Sequence, residues 1–122
     1  MSNPIYTSLG INTLKELIEL VDNGENTDKK VIVIKFGAEW CGPCKRITPY
    51  CHDIFKKSSD KVICFDINID EEENIELYQA YKQKKMIKTI PAIFAYTQNS
   101  ERNYQHWWVS DFSVNTSNMP EL

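Results

Sequence analysis

The residues best suited to covalent chemistry in this sequence are two cysteines held two residues apart in Cys41-Gly42-Pro43-Cys44. Such a pair can cycle between dithiol and disulfide, or it can supply half of a zinc site. The surroundings favour the first. Residues 31–36 form an apolar run broken only by Lys35 and rich in β-branched side chains, which reads as a strand buried on both faces. Residues 43–57 then place Cys44, Ile47, Cys51, Ile54 and Phe55 on one side of a helix, with a kink expected at Pro49. The cysteine pair therefore falls where a strand turns into a helix. At that position unpaired backbone N–H groups and the positive end of the helix dipole stabilise a thiolate on the first cysteine. The second sulfur lies one turn further in and is expected to be much less exposed. Cys41 is accordingly read as the attacking thiol and Cys44 as the resolving thiol. Pro43 fixes the first helical turn, and Gly42 leaves room for a substrate chain.

Zinc would require four convergent ligands, and Cys51 with His52 lies two turns along the same helix with no second Cys-x-x-Cys to complete a tetrahedron. No metal site is assigned. Cys51 and Cys64 read as small apolar fillers of the core, and neither His52 nor His106 has a spacing that marks it as catalytic.

The elements that must carry the pair follow from periodicity. Leu14, Leu17, Ile18 and Val21 make one face of a first helix, with Thr13 and Glu16 as a capping box and Gly24 as its stop. Residues 62–67 read as a second buried strand. Asp70 with Glu71, Glu72 and Glu73 supplies the cap and acidic first turn of a third helix, continued by Ile75, Tyr78 and Tyr81 on one face. Residues 92–96 and 103–109 read as an antiparallel hairpin joined by the polar turn 97–102. The expected fold is α/β, a central mixed sheet flanked by helices on both faces in three layers, in one domain over residues 1–122 with 112–122 as an irregular tail.

Composition narrows the partners. At 122 residues, 42% hydrophobic and 25% charged, the chain reads as an ordinary soluble globular protein. Its formal net charge of −3 argues against nucleic acid. No run approaches the roughly 18 consecutive apolar residues of a membrane span. The first 20 residues lack a secretory pattern, which points to a cytoplasmic location.

The run Lys35-Phe36-Gly37-Ala38-Glu39-Trp40-Cys41-Gly42-Pro43-Cys44-Lys45 with Pro49 after it, then Asn68-Ile69-Asp70, then Thr89-Ile90-Pro91, resembles three stretches of the thioredoxin family. These are its active-site strand and helix, the end of its next strand and its cis-proline loop. The resemblance extends over about residues 10 to 109. It implies a thioredoxin-like three-layer sandwich that reduces protein disulfides, carries no cofactor of its own and is recycled by an NADPH-dependent flavoprotein thioredoxin reductase. It also implies a cis Ile90–Pro91 bond, with Trp40, Ile90 and Pro91 lining the substrate groove. Two other readings stand beside it. One is a non-catalytic binding module or assembly subunit, against which the intact Trp-Cys-Gly-Pro-Cys argues. The other is a more oxidising disulfide oxidase or isomerase, against which the Gly-Pro dipeptide and the missing secretory pattern argue.

The chain departs from the family in three places. Lys35 occupies the position of a buried family aspartate, and Asp66 that of the lysine near it. Val31, Val33 and Lys35 share one face of their strand, and so do Val62, Cys64 and Asp66 on theirs, so a buried Lys35–Asp66 pair near Cys44 is expected. Lys82, Lys84, Lys85 and Lys88 lie in a segment longer than the family's, leading into the cis-proline loop, and are expected to favour acidic partners. The family's last helix is expected to be short or absent.

Overall fold

The computed structural model describes residues 2–115. Its elements are β1 (Ile5–Tyr6), α1 (Ile11–Asn23), β2 (Val31–Gly37), α2 (Gly42–Lys57), β3 (Val62–Asn68), α3 (Glu72–Gln83), β4 (Ala92–Thr97), a single 3-10 turn (Tyr104–His106) and β5 (Phe112–Asn115). The strands form one sheet in the order β1-β3-β2-β4-β5, with β1 and β2 parallel to β3, and β4 antiparallel to β2 and β5.

Alternation along the strands sorts the core into two halves. Ile32, Ile34, Phe36, Ile67, Phe94 and Tyr96 cluster with Leu14, Ile18 and Val21 of α1 and Leu77 and Tyr81 of α3. On the other face, Val33, Cys64 and Ile93 cluster with Ile47, Cys51 and Phe55 of α2. The three-layer α/β arrangement expected from the sequence is thus present, with Cys51 and Cys64 as buried free thiols. Burial pushes both thiols up from their ordinary pKa.

Four local expectations are corrected. Helix α1 starts at Ile11 with Gly10 at its N-cap and no side-chain cap, so Thr13 and Glu16 lie inside the helix. Leu9 sets this start: it is buried, and its N–H donates to Asn74 Oδ1 at 2.9 Å. The same Asn74 donates to the Thr7 carbonyl and turns the buried face of α3 to Asn74, Leu77 and Tyr81, leaving Ile75 exposed. Asp70 caps nothing; its carboxylate takes the Trp40 indole, and Glu71 at the α3 N-cap makes no side-chain cap. The partner of β4 is β5, not residues 103–109. Asn103 Oδ1 accepts from the Gln105 N–H and starts a 3-10 turn that buries Trp107 against Tyr81, delaying the strand to Phe112–Asn115. The start of the expected irregular tail is therefore strand, and residues 116–122 lie outside the described residues.

Strand β1 was not expected. At two residues it is too short for periodicity, and it is held by Asn3, whose buried amide donates to the carbonyls of Val62 at 2.8 Å and Ser59 at 3.2 Å.

Candidate active site

Cys41 is the N-cap of α2 and Cys44 lies in its first turn, joined as a disulfide with Cα atoms 5.2 Å apart. The Cys44 N–H donates to Cys41 Sγ at 3.2 Å, so a backbone donor of the unpaired helix end points at the first sulfur. Pro43 occupies the first turn, as expected. Both cysteines are largely buried, Cys41 6% and Cys44 2% exposed, a smaller contrast than the sequence suggested. The contrast lies in direction. Cys41 opens onto a groove of about 440 Å³ lined also by Trp40, Gly42, Pro43, Tyr78, Lys82, Ile87, Lys88, Thr89 and Ile90. Cys44 opens onto a different cavity of about 620 Å³ that contains Lys35, Asp66, Gly37 and Thr48.

The Ile90–Pro91 bond is cis, and the Ile90 carbonyl lies 3.7 Å from Cys41 Sγ. Trp40 is 69% exposed and its indole N–H donates to Asp70 Oδ2 at 2.7 Å, fixing the ring over the groove mouth. Pro91 is fully buried beneath the loop, while Ile90 lines the groove.

Lys35 and Asp66 face each other in register across β2 and β3, with Nζ 3.1 Å from Oδ1. Lys35 is 2% exposed. A Cβ on Gly37 would stand 3.3 Å from Lys35 Nζ and 3.4 Å from Cys44 Sγ, so cation and sulfur border the same small gap. Glycine at the end of β2 permits that approach.

Sequence reasoning missed His52. Its Nε2 contacts Asp66 Oδ2, so the carboxylate bridges Lys35 and His52. The signal was available only as a position: His52 follows Cys51, which faces the core, and falls at the edge of that face. Tyr78 was also missed as a groove wall. Among the described residues, no group of three or more His, Cys, Asp or Glu side chains could hold a metal ion, and no helix is long and apolar enough to cross a membrane.

A family model described as Thioredoxin matches residues 13–107. A thioredoxin of Buchnera aphidicola is 40% identical over 73 residues, 60% of this chain and 61% of that protein, so the match spans less than two thirds of that relative's length. Among solved structures, a thioredoxin of Malassezia sympodialis superposes with a TM-score of 0.61 at 26% identity, covering 92% of this chain and 80% of that one. A further chain, from a complex of ferredoxin:thioredoxin reductase and thioredoxin f2, superposes with a TM-score of 0.62 at 16% identity, covering 95% and 86%, a likeness of fold alone.

Proposed function

The chain belongs to the thioredoxin family, and from that premise we propose that it is a thiol-disulfide oxidoreductase that reduces protein disulfides. The observation that carries this reading is the Cys41–Cys44 disulfide at the start of α2, with Cys41 opening on a groove beside the Ile90–Pro91 loop. In the reduced protein the Cys41 thiolate attacks one sulfur of a substrate disulfide. A mixed disulfide forms and the other substrate sulfur leaves as a thiolate. Cys44, deprotonated, then attacks Cys41 Sγ and expels the second substrate thiolate. Two electrons pass to the substrate, and the Cys41–Cys44 disulfide remains to be reduced by a partner.

That partner is taken to be a reductase, as in the complex of ferredoxin:thioredoxin reductase with thioredoxin f2; a flavoprotein thioredoxin reductase is the type the family resemblance suggests. Trp40 and Ile90 frame the substrate groove in this reading, with Pro91 buried behind Ile90, and Gly42 and Pro43 shape the sulfur-bearing turn. No cofactor of its own is required. A reducing, cytoplasmic setting fits the two buried thiols Cys51 and Cys64, which stay free.

One observation favours the more oxidising alternative: the Lys35 cation beside Cys44 stabilises a thiolate, hence the reduced form. The reduction potential separates the readings. A value near about −270 mV, general for thioredoxins, supports the reductase, and one near about −120 mV a disulfide oxidase. The roles are tested by trapping. Cys44→Ser should accumulate mixed disulfides with substrate and Cys41→Ser should not; equal stable trapping by both would sink the assignment.

A further inference from the structure

Helix α3 carries opposite charges at its two ends, and each end borders a different cavity of the site. Glu71 and Glu73, at its start, line the cavity behind Cys44. Lys82, in its last turn, and Lys88, just beyond it, line the groove at Cys41. The four lysines of this segment are not equivalent. Lys84 is engaged elsewhere, its ammonium 3.6 Å from the centre of the Trp108 ring. Lys85 sits in a left-handed conformation at φ 62° where the helix ends, and does not line the groove. Lys82 stands 5.7 Å from the Tyr78 ring, itself a groove wall, and remains exposed, as does Lys88. Two cations therefore project beside an otherwise largely apolar floor of Pro43, Ile87 and Ile90. No carboxylate lines this groove among the described residues, and that of Asp70 is held by the Trp40 indole.

We infer that Lys82 and Lys88 make the groove selective for disulfides carried on acidic chain segments, with the carboxylates of the segment lying along the side of the groove formed by the end of α3. This rests on the reading of Cys41 as the substrate-facing thiol. The acidic start of α3 reinforces the selection by repelling such a segment from the Cys44 side, so the charge pattern sets orientation as well as preference. Because both lysines are exposed, each contributes about a two- to fivefold preference, and salt weakens it.

The test uses two peptides with the same disulfide, one flanked by glutamates and one by glutamines, as substrates at low ionic strength. Analogues with serine in place of each cysteine serve to map binding by amide shifts. The parent protein should reduce the acidic peptide faster, by about four- to 25-fold for both lysines together. The preference should collapse in Lys82→Gln/Lys88→Gln, persist in Lys85→Gln and shrink with added salt. Equal rates for the two peptides in the parent protein, or an equal loss of preference in Lys85→Gln, overturn the inference while leaving the oxidoreductase standing. If neither peptide is reduced but the acidic serine analogue alone shifts the amides of Lys82 and Lys88, the surface is upheld and the activity is not. Absence of both reduction and selective shifts overturns the two together.

Discussion

Lys35 puts a buried positive charge next to Cys44, the sulfur that, in the proposed cycle, must give up its proton for the mixed disulfide to resolve. The cation lowers the free energy of a Cys44 thiolate, while Asp66, which it neutralises, raises it. The two residues should therefore move the reduction potential in opposite directions. Lys35→Met removes the cation and leaves the carboxylate, so the potential should fall. Asp66→Asn removes the anion and leaves the cation, so it should rise; a tenfold change in the equilibrium corresponds to about 30 mV. Equilibration of each variant with glutathione reads the sign, and shifts of the same sign in both would show that the pair does not act on Cys44 through its charge. Stability adds a second measure. Losing one partner of a buried pair costs about 3–5 kcal/mol. Lys35→Met should fall at the low end, since Asp66 keeps His52, and Asp66→Leu at the high end, since it strands a cation that is 2% exposed. Exchanging the two residues should recover much of the loss but not all, because a lysine at position 66 then faces His52.

At the scale of elements, the feature that holds together the end of the sheet opposite Cys41 is Arg102. Its Nε donates to Asp22 Oδ2 at 2.7 Å on α1, and Nη2 donates to Asp111 Oδ2 at 2.8 Å and to the Thr97 carbonyl at 2.9 Å. One planar guanidinium thus ties α1, the end of β4 and the approach to β5, with the side chains of Arg102 and Asp22 only 4% and 3% exposed. Arg102→Ala should cost about 3–5 kcal/mol because it leaves Asp22 buried with Tyr104 and the Asn99 N–H as its remaining partners. Arg102→Lys should recover little, since an ammonium cannot span the fork. Chemical denaturation checks both, and a lysine variant as stable as the parent would mean that charge alone suffices. The strand-to-helix placement of Cys41 and Cys44 was legible in the sequence because hydrophobic period changes there from strand to helix. The Lys35–Asp66 pairing was legible because side chains alternate on two parallel strands in register. By contrast, the apolar alternation of residues 103–109 suggested a strand, but Arg102 and Asn103 turn the chain before it can pair. The tie of His52 to Asp66 joins residues 14 apart on different elements, and no local spacing encodes it.

For the molecule as a whole, stability against pH is set by groups whose protons are held differently in the folded and unfolded chain. Asp111 is the acid-side case. Burial works to raise its pKa, but hydrogen bonds from Arg102 and the Thr97 N–H outweigh it and hold the carboxyl below its ordinary value. Its contribution is present above the unfolded carboxylate range and is lost as pH falls through the lower folded value. On the alkaline side the largest shifts belong to Tyr81 of α3 and Tyr96 of β4, both fully buried where the helix meets the sheet. The Tyr81 hydroxyl is hydrogen-bonded to that of Tyr96, which donates to the Trp108 carbonyl at 2.6 Å. Desolvation is the main cause that pushes both phenols well above the ordinary tyrosine range. The sign follows: each phenol keeps its proton in the folded protein while the unfolded chain gives it up. The contribution of these two phenols is therefore full below pH about 10 and falls above it, by about 1.4 kcal/mol per pH unit for each retained proton. Two such protons should double that slope. Tyr81→Phe should cost about 1 kcal/mol at neutral pH, as Tyr96 still donates to Trp108, and should take about 1.4 kcal/mol per pH unit off the slope above pH about 10. Urea denaturation of parent and variant between pH 8 and 11 measures this directly. An alkaline slope unchanged by Tyr81→Phe would assign the loss of stability to other groups, the raised thiols of Cys51 and Cys64 first among them.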